Sequence, residues 1–234
     1  MSTAIQQSVT ARQIERLCHF TPSRNLVHIA TDRRGLLATA HLEEMERAAF
    51  NPTDLERWDG HKEHICCSVQ VPNAWYFRKA RSKDRLFRDW VVLLIAPHYL
   101  WMKGTKFCPR NAAARGGREV ASGHAAFEAM FAARVVGAYG KEFVRSANRP
   151  ACLPTDEQAE VLIPDRVVRE DVFGIVVKDE SQAKREIARL QTLNERVPRV
   201  LIAKDFFNAN WLSATLRSGN FPSEEEYYLG DENV

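Results

Sequence analysis

The sequence predicts an α+β fold. Helical patterning dominates its first quarter, and short apolar strands fill the middle. Those strands do not alternate regularly with helices, as a doubly wound parallel sheet would require. Neither G-x-G-x-x-G nor G-x-x-x-x-G-K-[ST] occurs, so the two common glycine-rich phosphate cradles are missing.

The elements follow in chain order. Thr10-Ala11-Arg12-Gln13 has the form of a capping box opening a short helix through Leu17. Cys18-His19-Phe20-Thr21 reads as a strand cut off by Pro22, and Asn25 to Ile29 as a helical turn or two, ending near Gly35. Residues 41–50 are expected to be helical, and Ile65 to Val71 a strand ended by Pro72. Trp90 to Ile95 is a continuous apolar run rich in β-branched residues, short and followed by Pro97, which suits a strand buried on both faces. Phe127, Met130, Phe131 and Val135 recur at helical spacing and predict a helix over 125–138. Ala159 to Ile163 and Gly174 to Val177 read as strands, Ser181 to Arg196 as an amphipathic helix, and Arg199 to Ala203 as a last strand. Residues 1–198 are expected to form one domain, with 199–234 an extension packed on it, because Phe206, Phe207 and Trp211 call for burial.

Composition narrows the function classes. A hydrophobic content of 45% with five Trp excludes a disordered chain. The longest apolar run is far too short to span a bilayer, and the first residues carry no apolar signal-peptide core; a cytoplasmic protein without a membrane partner is expected. Five cysteines without C-x-x-C offer no zinc framework, and His61-Lys62-Glu63-His64 lacks the i,i+4 spacing of a helical metal pair, so no metal is expected. The formal net charge of +3 alone argues against a nucleic-acid protein, but it hides an asymmetry. Residues 1–118 hold 19 Lys+Arg against 11 Asp+Glu, a balance of +8, and the remainder balances at −5. Arg78 to Arg88 carries six positive charges and one negative, enough to gather a polyanion locally.

Four groups of residues could carry chemistry. His19 and Thr21 share one face of a strand, where two hydrogen-bonding side chains could hold a ribose or an amide. Gln158 and Glu160 are read as sharing a face at the head of the Val161-Leu162-Ile163 strand, where a carboxylate could stabilise positive charge developing on an anomeric carbon. His124 opens the helix predicted over 125–138, where the helix field disfavours imidazolium. Trp75-Tyr76-Phe77 beside the basic run has the composition of a single-strand groove, in which bases stack and phosphates meet cations; it is equally the composition of a core edge with snorkelling arginines.

Taken in order, His19-Phe20-Thr21, Asn25-Leu26-x-x-Ile29, Gly35-Leu36-Leu37, the Val71-Pro72 aromatic segment, Gly123-His124-Ala125 and Gln158-Ala159-Glu160-Val161-Leu162-Ile163-Pro164-Asp165-Arg166 resemble the DarT family over about residues 18–178. These are the DNA ADP-ribosyltransferase toxins of DarT–DarG toxin–antitoxin systems. The resemblance implies the ADP-ribosyltransferase fold, a split, twisted β-core around an NAD cleft. It implies a metal-free transfer of ADP-ribose from NAD to a base in single-stranded DNA, with release of nicotinamide and a block to replication. A DarG-like macrodomain antitoxin is the implied partner, and a monomer is expected.

Carried over residue by residue, His19 would bind a ribose hydroxyl and Thr21 would seat the nicotinamide end, with Asn25, Leu37 and Tyr76 also lining the NAD site. Glu160 matches the catalytic glutamate and His124 the histidine beside the acceptor. Arg78 falls on the arginine that polarises the base, with Arg81 as the alternative position. Trp75, Lys79, Arg81, Lys83 and Arg85 would contact DNA. The thymine-modifying members surround that arginine with Pro-Arg-Ser-Pro, whereas here it lies in Phe77-Arg78-Lys79-Ala80, and the Asn73 to Phe77 segment inclines the acceptor toward guanine. Two other readings remain open: a Q-x-E transferase acting on protein side chains, and a non-enzymatic single-strand binder using residues 72–88.

Overall fold

The computed structural model describes residues 1–42, 57–83, 88–137 and 140–228. Ser2 caps α1 (Thr3–Ala11), its hydroxyl accepting from the Ile5 N–H at 3.4 Å, and Ile5 and Val9 bury one face. The helix therefore occupies a stretch to which the sequence pattern assigned no element. Thr10 closes it rather than opening another, because its hydroxyl donates back to the Gln6 carbonyl at 3.1 Å. The chain turns at Gln13, with φ 56°, and enters β1 (Leu17–Pro22).

Ordered along the chain, α2 (Asn25–Thr31), β2 (Leu36–Leu37), β3 (His64–Val69), α3 (Ala74–Lys83) and β4 (Trp90–Ile95) complete the first half. Then come β5 (Lys106–Cys108), β6 (Ala121–Ser122), α4 (His124–Ala129), β7 (Arg134–Val136), β8 (Glu142–Val144), β9 (Glu160–Pro164), β10 (Arg166–Val167), β11 (Val172–Val177), α5 (Glu180–Thr192), β12 (Arg199–Ile202), α6 (Ala209–Arg217) and β13 (Glu225–Glu226). The helix expected over 41–50 lies mostly outside the described residues. None of the described helices is long and apolar enough to cross a membrane.

Nine strands form one sheet in the order β13-β12-β11-β4-β1-β3-β9-β5-β6. Among the described strands only β11 and β12 pair in parallel, and α5 supplies the crossover that a parallel pair needs. All six residues of β4 are buried, since β1 and β11 flank it and both faces are covered. β12 joins the sheet beside β11, so the chain beyond residue 198 continues the same sheet. Fully buried Phe206 and half-buried Phe207, whose ring lies tilted against Phe77 with centroids 5.4 Å apart, anchor the C-terminal part to α3.

The helix predicted over 125–138 stops at Ala129. Thr155 N–H takes the Met130 carbonyl at 2.9 Å and Arg145 N–H takes the Ala133 carbonyl at 2.9 Å, which draws the chain out of helix and into β7. Phe131 and Val135 are buried all the same, so their helical spacing is accidental.

Candidate active site

The site grows from a split in the sheet. β1 and β3 pair only at Leu17↔Val69 and Cys18↔Ser68. Beyond that point β1 stays with β4 along its whole length, while β3 follows β9 from Cys67↔Val161 to His64↔Pro164. The wedge between them opens into a cavity of about 1070 Å³, counting its mouth. Its walls include His19, Thr21, Asn25, Leu37, Tyr76 and Glu160, so six residues named from the sequence meet in one place.

His19 bridges the split. Its Nδ1 lies 2.8 Å from the Cys66 carbonyl, which can only accept, so Nδ1 carries the proton and Nε2 is left as an acceptor. Burial lowers its pKa, which keeps the ring neutral. Two residues on, Thr21 is buried, and its Oγ1 accepts from Asn25 Nδ2 at 2.9 Å. Asn25 is 4% exposed, and its Oδ1 is buried without a hydrogen-bond partner among the described residues. A buried, unfilled acceptor in a cavity wall fits a ligand N–H, and an amide or an exocyclic amine supplies one. Together with the acceptor Nε2 of His19, which a ribose hydroxyl could meet, these residues suit NAD.

Glu160 sits at the first position of β9, opposite Cys108 of β5, and is 7% exposed. Its Oε1 accepts from Asn111 Nδ2 at 3.0 Å and more loosely from Asn73 Nδ2 at 3.5 Å, and its Oε2 accepts from the Ala112 N–H at 3.1 Å. Gln158 does not share its face. The strand begins at Glu160, and Gln158 lies in the preceding turn, where strand alternation does not apply. The thiols of Cys66, Cys67 and Cys108 lie near Glu160, and burial raises all three out of the reactive range.

A second, wider hollow adjoins the first, sharing Tyr76, Asn111 and Ala113 with it. Its floor is α3, an element the sequence reading left unassigned. Trp75, Tyr76, Arg78, Lys79, Ser82 and Lys83 face the groove, while Ala74, Phe77 and Ala80 face the core. Arg110, Arg115 and Gln158 complete the wall, and so does Trp58, which is 67% exposed. The loop bearing Arg115 packs directly against the Trp58–Asp59 segment: a Cβ on Gly117 (φ +77°) would come within 2.2 Å of the Asp59 carbonyl. Arg57 and Asp59 form a buried bidentate pair in the wall between the cavities, at 3.1 and 2.9 Å. Burial works against the Asp59 charge, but the Arg57 hydrogen bond holds its pKa below the usual carboxylate value.

Several expected residues fall elsewhere. Arg78 does not line the inner cavity; it lies on the groove surface with its guanidinium 4.9 Å from the Trp75 ring. Arg81 is half-buried, donates to the Phe207 carbonyl at 2.8 Å and rests on the Phe77 and Phe207 rings, so it packs the C-terminal part against α3 rather than facing the groove. Arg85 lies outside the described residues. His124 lies outside both cavities. It opens α4 as expected, but α4 packs beside α1, and the ring meets Ser8 Oγ at 3.0 Å and Glu128 at 3.5 Å.

Among the residues the sequence reading missed are Asn73, Asn111, Arg57 and Trp58. It also discounted His61 and His64, whose donor atoms with Glu63 lie within 4.8 Å of one another across a turn rather than along a helix. Lys106 Nζ approaches His61 Nδ1 at 3.3 Å there, so that ring nitrogen already has a partner.

The family model for the ssDNA thymidine ADP-ribosyltransferase DarT matches residues 18–208. No curated protein matches the sequence. Among solved structures, Thermus sp. 2.9 DarT in complex with NAD+ is similar at a TM-score of 0.54 and 16% identity, over 83% of this chain and 98% of that one. The same protein in complex with ADP-ribosylated ssDNA gives 0.54 and 15%, over 83% and 97%. Thermosipho africanus DarTG in complex with ADP-ribose gives 0.56 and 14%, over 82% of this chain. The present chain spans about half of that longer protein, at 51%. The match over 83% of the chain identifies the fold as that of DarT structures, and with the family model covering residues 18–208 the chain belongs to the DarT family of ssDNA ADP-ribosyltransferases.

Proposed function

We propose that the chain transfers ADP-ribose from NAD to a base in single-stranded DNA and acts as the toxin of a pair whose partner is a DarG-like macrodomain antitoxin. The observation that carries the reading is the position of Glu160: its carboxylate lines the cavity and is held by Asn111, a residue the cavity shares with a groove lined by cations and aromatic rings. His19 Nε2 would accept from a ribose hydroxyl, and Thr21 and Asn25 would seat an amide-bearing end. Glu160 would hydrogen-bond the 2′-hydroxyl of the nicotinamide ribose and stabilise the positive charge that develops as the glycosidic bond breaks. Trp58, Trp75 and Tyr76 offer faces for bases, and Arg78, Lys79 and Lys83 offer charges for phosphates.

The acceptor base is the finer part of the proposal. The family's description names thymidine; the Asn73 to Phe77 segment, without Pro-Arg-Ser-Pro after it, favours guanine. Incubation with NAD and single-stranded oligonucleotides differing in one base, read by mass spectrometry, tests both. One oligonucleotide should gain the mass of one ADP-ribose, and its base settles the acceptor. No mass gain on any oligonucleotide, with label appearing on protein instead, would overturn the reading.

A further inference from the structure

Three N–H donors from two separate parts of the chain converge on Glu160. Asn73 is 3% exposed and stands just before α3. Its Oδ1 accepts from the Tyr76 N–H at 3.1 Å, the geometry of a helix N-cap, and its own N–H donates to Ser68 Oγ at 3.1 Å. With the oxygen committed to the cap, the amide nitrogen can only point at Glu160. Asn111 and Ala112 reach the carboxylate from the loop after β5. That loop is pinned at its base by Arg110, which pairs with Glu119 and donates to the carbonyls of Val136 and Gly137 at 2.8 and 2.7 Å. Asn111 belongs to both the inner cavity and the groove.

We propose that Asn73 and Asn111 are positioning residues for Glu160, holding its carboxylate toward the cavity, and that Asn111 ties that orientation to the wall shared with the groove. A glutamate side chain has three rotatable bonds, and a group that must meet one hydroxyl in the transition state needs them fixed in advance. The helix cap fixes one donor and the pinned loop fixes the other two, so the carboxylate is aligned before any ligand arrives.

The inference rests on Glu160 promoting NAD cleavage, and its readout is nicotinamide release, measured with and without single-stranded DNA. Asn111→Ala should lower kcat about tenfold or more while changing KM for NAD by less than about threefold, because positioning acts on the transition state. Asn73→Asp keeps the cap acceptor and Asn111→Asp keeps the volume, so both should still fold, melting below the wild type at neutral pH and closer to it at acid pH, where the added carboxyl is neutral. Each replaces a donor by a second carboxylate beside Glu160, and two such groups resist ionising together. The acid limb of the pH–rate profile should therefore move to higher pH by about one unit or more; the neighbouring thiols, held neutral by burial, do not contribute to it. Rates within twofold of wild type and an unmoved acid limb would overturn the proposal. Nicotinamide release without label on DNA would overturn the acceptor reading alone, and the same three variants would still judge the positioning. No release by the wild type under either condition would overturn both.

Discussion

Replacing Glu160 by Gln exchanges one carboxylate oxygen for an amide nitrogen at constant volume, and the consequence can be worked from the donors around it. Ala112 N–H lies 3.1 Å from Oε2 and Asn111 Nδ2 lies 3.0 Å from Oε1, so the new amide nitrogen meets a donor on either side. The better arrangement turns the remaining oxygen to Ala112 and lets the Asn111 amide turn over to accept. Asn73 cannot follow, because Tyr76 N–H holds its Oδ1 at 3.1 Å. Weakened or unsatisfied bonds to a buried group cost about 1–3 kcal/mol. For a chain of this size each kcal/mol lowers Tm by roughly 2–4 °C. The loss of negative charge opposite the developing positive charge removes on the order of 10²- to 10³-fold in rate. Nicotinamide release and label on the preferred oligonucleotide measure the second effect, and thermal melting measures the first. Transfer at the wild-type rate would refute the assignment of Glu160. A raised melting temperature would refute the convergence of donors on it.

Three further outcomes follow from the same geometry. Changing Lys79 and Lys83 together to Gln should flatten the slope of log affinity for single-stranded DNA against log salt by about 1.4, at about 0.7 per phosphate contact, as binding titrations across salt would show, and should leave KM for NAD unchanged. Phe206 is fully buried against the Arg16 guanidinium 5.7 Å away, so Phe206→Ala should cost about 3–5 kcal/mol in denaturant unfolding. Burial lowers the pKa of His19 from 6.5, so the unfolded chain binds its proton first as pH falls; the contribution is complete above about pH 6.5 and is lost below it. The drop in melting temperature between pH 7 and pH 5 should accordingly be smaller in His19→Gln, whose amide can still donate to the Cys66 carbonyl, and an equal drop in both proteins would refute the buried neutral ring.

Legibility in the sequence followed the range of the interactions. β4 could be read because six consecutive apolar residues meet neighbours on both faces. His19 and Thr21 could be paired because strand alternation is local, and both do line the cavity. The same rule failed at Gln158, where two residues of turn precede the strand. Asn73 and Asn111 carried no local signal of a site. An asparagine before a helix is an ordinary cap, and their shared partner lies 87 and 49 residues away in the chain. The fate of Thr10 was illegible for another reason: a hydroxyl at the end of one helix and at the start of the next gives the same four-residue pattern, and only the backbone decides between them.

The basic run from Arg78 to Arg88 shows how the helix changes the meaning of a composition. Counted as a string, it is one patch of six positive charges. Wound into α3, positions 75, 78, 79, 82 and 83 fall at i, i+3, i+4, i+7 and i+8 and make one stripe, which is the groove floor. Positions 77, 80 and 81 turn the other way, and Arg81 becomes a packing residue on Phe77 and Phe207. A groove face and a core edge with a snorkelling arginine therefore coexist, because they lie on opposite faces of one helix. That division predicts which charges matter. Neutralising Lys79 or Lys83 should act on DNA and leave the melting temperature alone, whereas Arg81→Ala should lower the melting temperature through lost contact with Phe207 and act on DNA only as far as the C-terminal packing loosens. A loss of DNA use in Arg81→Ala without a loss of stability would overturn the division.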